Sequence, residues 1–148
     1  MIRILSICGS PVPGSSTEIL LKRIADGISG ELKDRCRHTY VQLNELDYIP
    51  CQSCGEAPTP GFCFFDDDLT PVYCELARCD CLLVGSPIYF DSVSAQLKAF
   101  MDRCNCVRPF DFDNVDPDHR FIKLLRRKRP GAMVLVGGEH GWYEGARR

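Results

Sequence analysis

Two apolar-leaning runs far apart in the chain stop at the same three residues. Ile2 to Cys8, IRILSIC, gives way to Gly9-Ser10-Pro11, and the run Cys81 to Gly85, CLLVG, ends in Gly85-Ser86-Pro87. A near-continuous apolar strand is what a parallel sheet covered on both faces requires, whereas a sheet with one wet face would alternate. Each run is followed by a helical pattern, and strand followed by helix is the unit from which such sheets are wound. After the first run, Ser15 with Glu18 three residues on fits a capping box, and Leu20, Leu21, Ile24, Ala25 and Ile28 share a face until Gly30 closes the helix. After the second, Ser92 or Ser94 opens a helix with Val93, Leu97, Phe100, Met101 and Cys104 inward and Lys98, Asp102 and Arg103 outward.

The rest of the chain fits between and after these units. Thr39, Val41 and Leu43 alternate with polar neighbours as a second, more exposed strand, and Thr70-Pro71 predicts a helix to about Cys79, with Thr as cap and Pro at the first position. Residues 105 to 120 read as an irregular excursion, Phe121 to Leu125 as a short helical piece, and Ala132 to Val136 as a fourth strand. The expected architecture is one α/β domain over residues 1–148, a doubly wound parallel sheet in the order 2-1-3-4-5 from which the fifth strand and last helices are missing. The fourth strand would then be an apolar edge, so either further chain or another subunit is expected to cover it.

Charge and composition remove several function classes. Lys and Arg number 18 against 20 Asp and Glu, a net charge of -2, too little field to gather nucleic acid or an anionic membrane. The basic run Arg126-Arg127-Lys128-Arg129 is expected to be solvated, as is Asp66-Asp67-Asp68 before the second helix. The apolar runs are strand-sized, well short of the ~20 residues of a membrane span, and no signal-like segment opens the chain. A cytoplasmic location is expected.

The segment Gly9-Ser-Pro-Val-Pro-Gly14-Ser15-Ser16-Thr17 links the first strand to the first helix, where helix amides and the dipole favour an anion. It has nearly the P-loop spacing, but Ser15 stands where the lysine that pairs with a triphosphate would be. With hydroxyls at Ser10, Ser15, Ser16 and Thr17, it suits one phosphate monoester held by neutral donors. A plain helix cap is the alternative. The segment Ser86-Pro87-Ile88-Tyr89-Phe90-Asp91-Ser92 follows the neighbouring strand, so both loops lie at the crevice where such sheets bind ligands, one end polar and the other flat and apolar.

These two segments, GSPVPGSST and VGSPIYFDSVSAQLKAFMDR, resemble the two FMN loops of the flavodoxin-like NADPH-dependent FMN reductases, and the intervening cysteines resemble the iron-sulfur flavoprotein branch of that family. The resemblance implies that Ser10, Ser15, Ser16 and Thr17 hold the FMN phosphate, that Pro87, Ile88, Tyr89 and Phe90 line the isoalloxazine, and that Gly138 approaches it from a third loop. It implies a reductase in which FMN carries the chemistry and no side chain is a catalytic acid or base. NAD(P)H would be a transient donor, a quinone, flavin or similar electrophile the acceptor, and the active form a homodimer or homotetramer. Lys98 or Arg103 could favour a cofactor phosphate, but on an amphipathic helix both are read as solvated charges.

Ten cysteines remain to be placed. Cys8, Cys81 and Cys104 lie in apolar segments as small core residues, and Cys36, Cys74, Cys79 and Cys106 show no pattern. Only Cys51, Cys54 and Cys63 sit in a loop with ligand-like spacing. The branch resembled implies a C-x2-C-x2-C-x5-C set for an iron-sulfur cluster, and Ala57 occupies its third position. No stable cluster is therefore expected, with a three-cysteine cluster, a zinc site or a C-x-x-C redox pair as alternatives. Two further functions stand beside the reductase: a flavodoxin-like or iron-sulfur electron carrier, and a metal-binding interaction module with a vestigial flavin site.

Overall fold

A computed structural model describes residues 1–53, 63, 65–104 and 128–138. Strand β1 (Ile2–Cys8) lies between β2 (Cys36–Gln42) and β3 (Cys81–Tyr89), and β3 pairs on its other side with β5 (Gly131–Val136). All these pairs are parallel, so the order β2-β1-β3-β5 is the doubly wound one expected. A two-residue strand, β4 (Ser92–Val93), folds back antiparallel on the end of β3. Among the described residues no strand pairs with the outer edge of β5, where Met133 is exposed.

Helices α1 (Ser16–Leu32), α2 (Leu69–Arg78) and α3 (Ala95–Arg103) and two short 3-10 turns, Lys33–Arg35 and Leu43–Glu45, complete the described elements, so Leu43, expected in the second strand, lies buried in the turn after it. Successive residues of β1 point to opposite faces, so the strand feeds two cores. Ile4 and Cys8 pack with Leu21 and Ala25 of α1, while Leu5 and Ile7 pack with Leu69, Val72, Tyr73 and Ala77 of α2 and Leu97 and Phe100 of α3. Burial on both sides explains why β1 reads as an unbroken apolar run.

Several boundaries differ from the sequence reading. Helix α1 continues through Gly30, which stays exposed on the helix surface, and the chain turns instead at Lys33, with φ 51°. Helix α2 starts before Thr70, because the Asp67 carboxylate accepts the Leu69 amide at 3.1 Å and caps the first turn. Strand β3 runs past Gly85 to Tyr89. Pro87 is tolerated there because β1 has already ended, at the pair Cys8 with Gly85, leaving the proline to pair only with Val136 of β5. The expected excursion at 105 to 120 and the helical piece at 121 to 125 lie outside the described residues.

The facing expected of α3 is overturned at two positions. Met101, expected inward, is exposed, and Arg103, expected outward, is buried, 1% accessible. Its guanidinium meets the Asp67 carboxylate at 2.8 and 3.1 Å, so neither residue is a solvated surface charge. Asp68 is also engaged, its carboxylate accepting the Asp47 amide at 2.8 Å. In the basic run, Arg129 reaches the Leu76 carbonyl at the end of α2 and lies 3.4 Å from Cys79 Sγ, while Lys128 is exposed.

Candidate functional site

The two loops predicted to converge do so through backbone contact. Gly9 N donates to Gly85 O at 2.8 Å, carrying the β1–β3 ladder one step beyond the strand and setting the loop starts side by side. Neither position accepts a side chain. A Cβ at Gly9 would lie 2.7 Å from Leu97 Cβ, and one at Gly85 would lie 2.4 Å from Leu21 Cδ1 and 2.9 Å from Thr17 Cγ2. The glycines let α1 and α3 close on the strand ends.

Ser94 fastens this arrangement. It is wholly buried, its Oγ donates to Gly9 O at 2.5 Å and accepts from Leu97 N at 3.2 Å, and its own amide donates to Ser86 Oγ at 2.9 Å. One residue, through its side chain and its amide, thus caps α3 and ties both loops. The sequence marks Ser94 as a candidate helix cap, but nothing in it signals the bond to Gly9.

The first loop is shaped by its own polar groups. Ser10 is turned inward, with Oγ 3.2 Å from Val12 N, forming a local turn. Ser15 caps α1, accepting from Glu18 N at 3.4 Å, while the Glu18 carboxylate accepts Gly14 N at 2.8 Å and Lys22 Nζ at 2.5 Å. Those partners, Lys22 first and then the Gly14 amide, hold Glu18 below the ordinary carboxylate range, so the loop is tied down by a charged group. The cap differs from the box expected, since Glu18 reaches back to Gly14 rather than to Ser15. Ser16 is exposed, Ser15 half-buried and Thr17 buried beneath Gly85. The amides of Ser16 and Thr17 open the helix, where no carbonyl within it can accept them. A phosphate monoester fits this donor set of amides and hydroxyls at a positive helix end.

The second loop is a tight hairpin. Ile88 pairs with Val93 and Tyr89 with Ser92, leaving Phe90 and Asp91 as a two-residue turn with φ of 49° and 57°. Two positive φ values match the type I′ turn that joins right-twisted strands, and phenylalanine is strained there. Pro87 is buried, Ile88 half-buried and Tyr89 50% exposed, while Phe90 projects fully into solvent. Gly138, two residues beyond β5, is also exposed. The polar helix end and the exposed aromatics give the crevice unlike ends, which suits a molecule with a phosphate at one end and a flat ring at the other.

The cysteines divide differently from the sequence reading. Cys8 and Cys79 are buried; Cys36, Cys51, Cys63, Cys74, Cys81 and Cys104 are partly so. Burial pushes the Cys104 thiol up to about 12, with Arg103 pulling the other way, and burial also raises Cys81. Cys63 packs against the core formed by α2 and α3, and Cys51 is described, whereas Cys54 and Ala57 lie outside the described residues. No group of three metal-ligating side chains gathers among the described residues. Three loop thiols are one short of a four-thiolate cluster.

The model of the NADPH-dependent FMN reductases matches residues 2–145. An iron-sulfur flavoprotein of Methanocaldococcus jannaschii is 31% identical over 97% of this chain and 66% of its own length. One of Methanosarcina thermophila is 32% identical over 97% of this chain and 68% of its own. The chain thus spans about two thirds of these relatives. Among solved structures, the NAD(P)H:quinone oxidoreductase of Methanothermobacter marburgensis superposes with a TM-score of 0.63 at 15% identity, covering 93% of this chain and 85% of that one. A flavone reductase reaches 0.66 at 16% identity over 94% of this chain and 44% of its own. At these identities the likeness is one of fold.

Proposed function

The chain belongs to the NADPH-dependent FMN reductase family, and from that premise we propose that it is an FMN-dependent NAD(P)H oxidoreductase reducing a small acceptor such as a quinone or a flavin. The observation that carries this reading is the latch at Ser94, which joins a neutral anion site at the head of α1 to the Tyr89–Phe90 hairpin in one crevice. The whole chain, residues 1–148, would be one flavodoxin-like domain, active in the cytoplasm as a homodimer or homotetramer.

FMN, when bound, supplies the hydride and electron chemistry. This chain's residues do the holding. Ser15, Ser16 and the amides opening α1 would take the phosphate, with Ser10 and Thr17 shaping the loop from inside. Pro87, Ile88 and Tyr89 would flank the ring, and Phe90 and Gly138, both exposed, would contact it from the rim. Their part is to bind, orient and leave one ring face open for NAD(P)H.

The iron-sulfur names of the relatives bear on Cys51, Cys54 and Cys63. With Ala57 in the third cluster position, the donor set does not complete a four-thiolate site.

Titration with FMN and with riboflavin, followed by NADPH oxidation with and without a quinone, tests the proposal. Binding of FMN at least tenfold tighter than riboflavin, with quinone-dependent turnover, is the expected result. Equal binding of the two would refute the phosphate site. FMN binding without NAD(P)H oxidation would favour the electron carrier, and failure to bind either flavin would leave the interaction module. A visible spectrum taken without oxygen should show two flavin bands that bleach with dithionite; a broad brown shoulder would mean that a cluster survives Ala57.

A further inference from the structure

Arg103 has no part in the flavin reading, yet it is the largest fully buried side chain among the described residues. A cation in such a place is costly unless paired and hydrogen-bonded. Burial opposes its charge, and the hydrogen bond to Asp67 together with the fields of Tyr73, Cys63 and Asp67 more than offsets that, raising its pKa above the ordinary arginine value.

The described hydrogen-bond partners Ile49, Phe65 and Asp67 lie at the two ends of one segment, the cysteine-bearing stretch between β2 and α2. Nη1 donates to Ile49 O at 2.7 Å, just before Cys51, and to Asp67 Oδ2 at 2.8 Å. Nη2 donates to Asp67 Oδ1 at 3.1 Å and to Phe65 O at 3.4 Å, just after Cys63. The Phe65 ring lies 5.6 Å from the guanidinium carbon. Flanking contacts tighten the same neck: Tyr48 OH donates to Gln96 O of α3 at 2.8 Å, the Asp47 amide donates to the Asp68 carboxylate at 2.8 Å, and the Asp68 amide donates to Asp47 O at 3.4 Å. The planar guanidinium reaches two carbonyls and a carboxylate together, which an ammonium on a flexible stem does less well.

We propose that Arg103 is a positioning residue: it clasps both ends of the cysteine-bearing segment to the C-terminal end of α3 and so sets where Cys51 and Cys63 stand relative to the crevice. The other end of α3 carries Ser94, which fastens the flavin loops. The two fastenings stand nine positions apart, about 14 Å along a helix. α3 is then a rigid spacer between the crevice and the cysteines. The clasp uses no thiol, so it holds with or without a metal.

The test measures alkylation of each cysteine by iodoacetamide, read by peptide mass spectrometry in the folded full chain, with Cys36 on β2 as internal reference. In Arg103→Met, Cys51 and Cys63 should label at least tenfold faster relative to Cys36, while FMN affinity, measured on the same samples, changes less than threefold. Arg103→Lys, which keeps the charge but not the fork, should restore part of the protection. Unchanged ratios in folded Arg103→Met would overturn the proposal, as would an equal rise at all three cysteines, which marks general loosening. If Arg103→Met does not fold, Asp67→Asn decides the matter: it should raise labelling at the same two cysteines, and no selective rise would refute the clasp. Failure of wild-type protein to bind FMN would count against the proposed function and leave this test intact.

Discussion

Gly9→Ala should separate the two loops without removing any polar side chain. The new methyl would stand 2.7 Å from Leu97 Cβ, 2.9 Å from Ser94 Oγ and 3.2 Å from Gly85 O. Carbon atoms settle roughly 3.5–4.0 Å apart, so the shortfall against Leu97 is about 1 Å. A Cβ has no torsion by which to move aside, and α3 itself must retreat. Overpacking of this kind costs roughly 1–3 kcal/mol. Retreat also stretches the 2.5 Å bond from Ser94 to Gly9, a loss of about 1 kcal/mol. The expected destabilisation is therefore about 2–4 kcal/mol, measured by urea unfolding at constant slope. FMN affinity should fall with it, since both halves of the site move apart. Gly27→Ala is the control: it lies in α1 with open space around a Cβ and should gain roughly 0.5–1 kcal/mol from helix propensity. A loss below about 0.5 kcal/mol for Gly9→Ala would refute the claim that this contact sets the loop spacing.

Three other outcomes follow from the geometry. Phe90→Asn should stabilise the free protein by roughly 1 kcal/mol, since asparagine tolerates positive φ and no buried area is lost, yet weaken FMN; equal or better FMN binding would remove Phe90 from the site. His38 accepts or donates at 2.8 Å to Ser6 Oγ, and burial lowers its pKa from the ordinary 6.5. The unfolded chain therefore takes up the proton first, so stability should be full above about pH 6.5 and decline below it, and His38→Gln should flatten that slope in denaturant titrations. Cys104, with its thiol pushed up to about 12, should be among the slowest cysteines to alkylate at pH 8; early labelling would contradict its burial.

What the sequence disclosed was local. The unalternating run in β1, the Ser15 cap and the paired Gly-Ser-Pro turns sufficed for the sheet order and for both loops, because each is written in adjacent residues. The end of β3 was missed because Pro87 reads as a stop unless one knows that β1 has already ended beside it. Arg103 was misplaced because helical periodicity sorts residues by their own helix, and its burial depends on Asp67 and the carbonyls of a distant segment. Ser94 was visible as a helix cap. Its second role depends on a residue that no local pattern connects to it.

The bond from Ser94 to Gly9 closes a separation of 85 positions in the chain, and that has a bearing on how the protein reaches its native state. Contacts so remote in sequence require most of the chain to be ordered before they repay their loop-closure entropy, and parallel strands add to the delay. The crevice should accordingly be among the last features to assemble, after β1, α1 and β3 have docked. A flavin added during refolding would find nothing to hold until that step, so it should slow unfolding far more than it speeds folding.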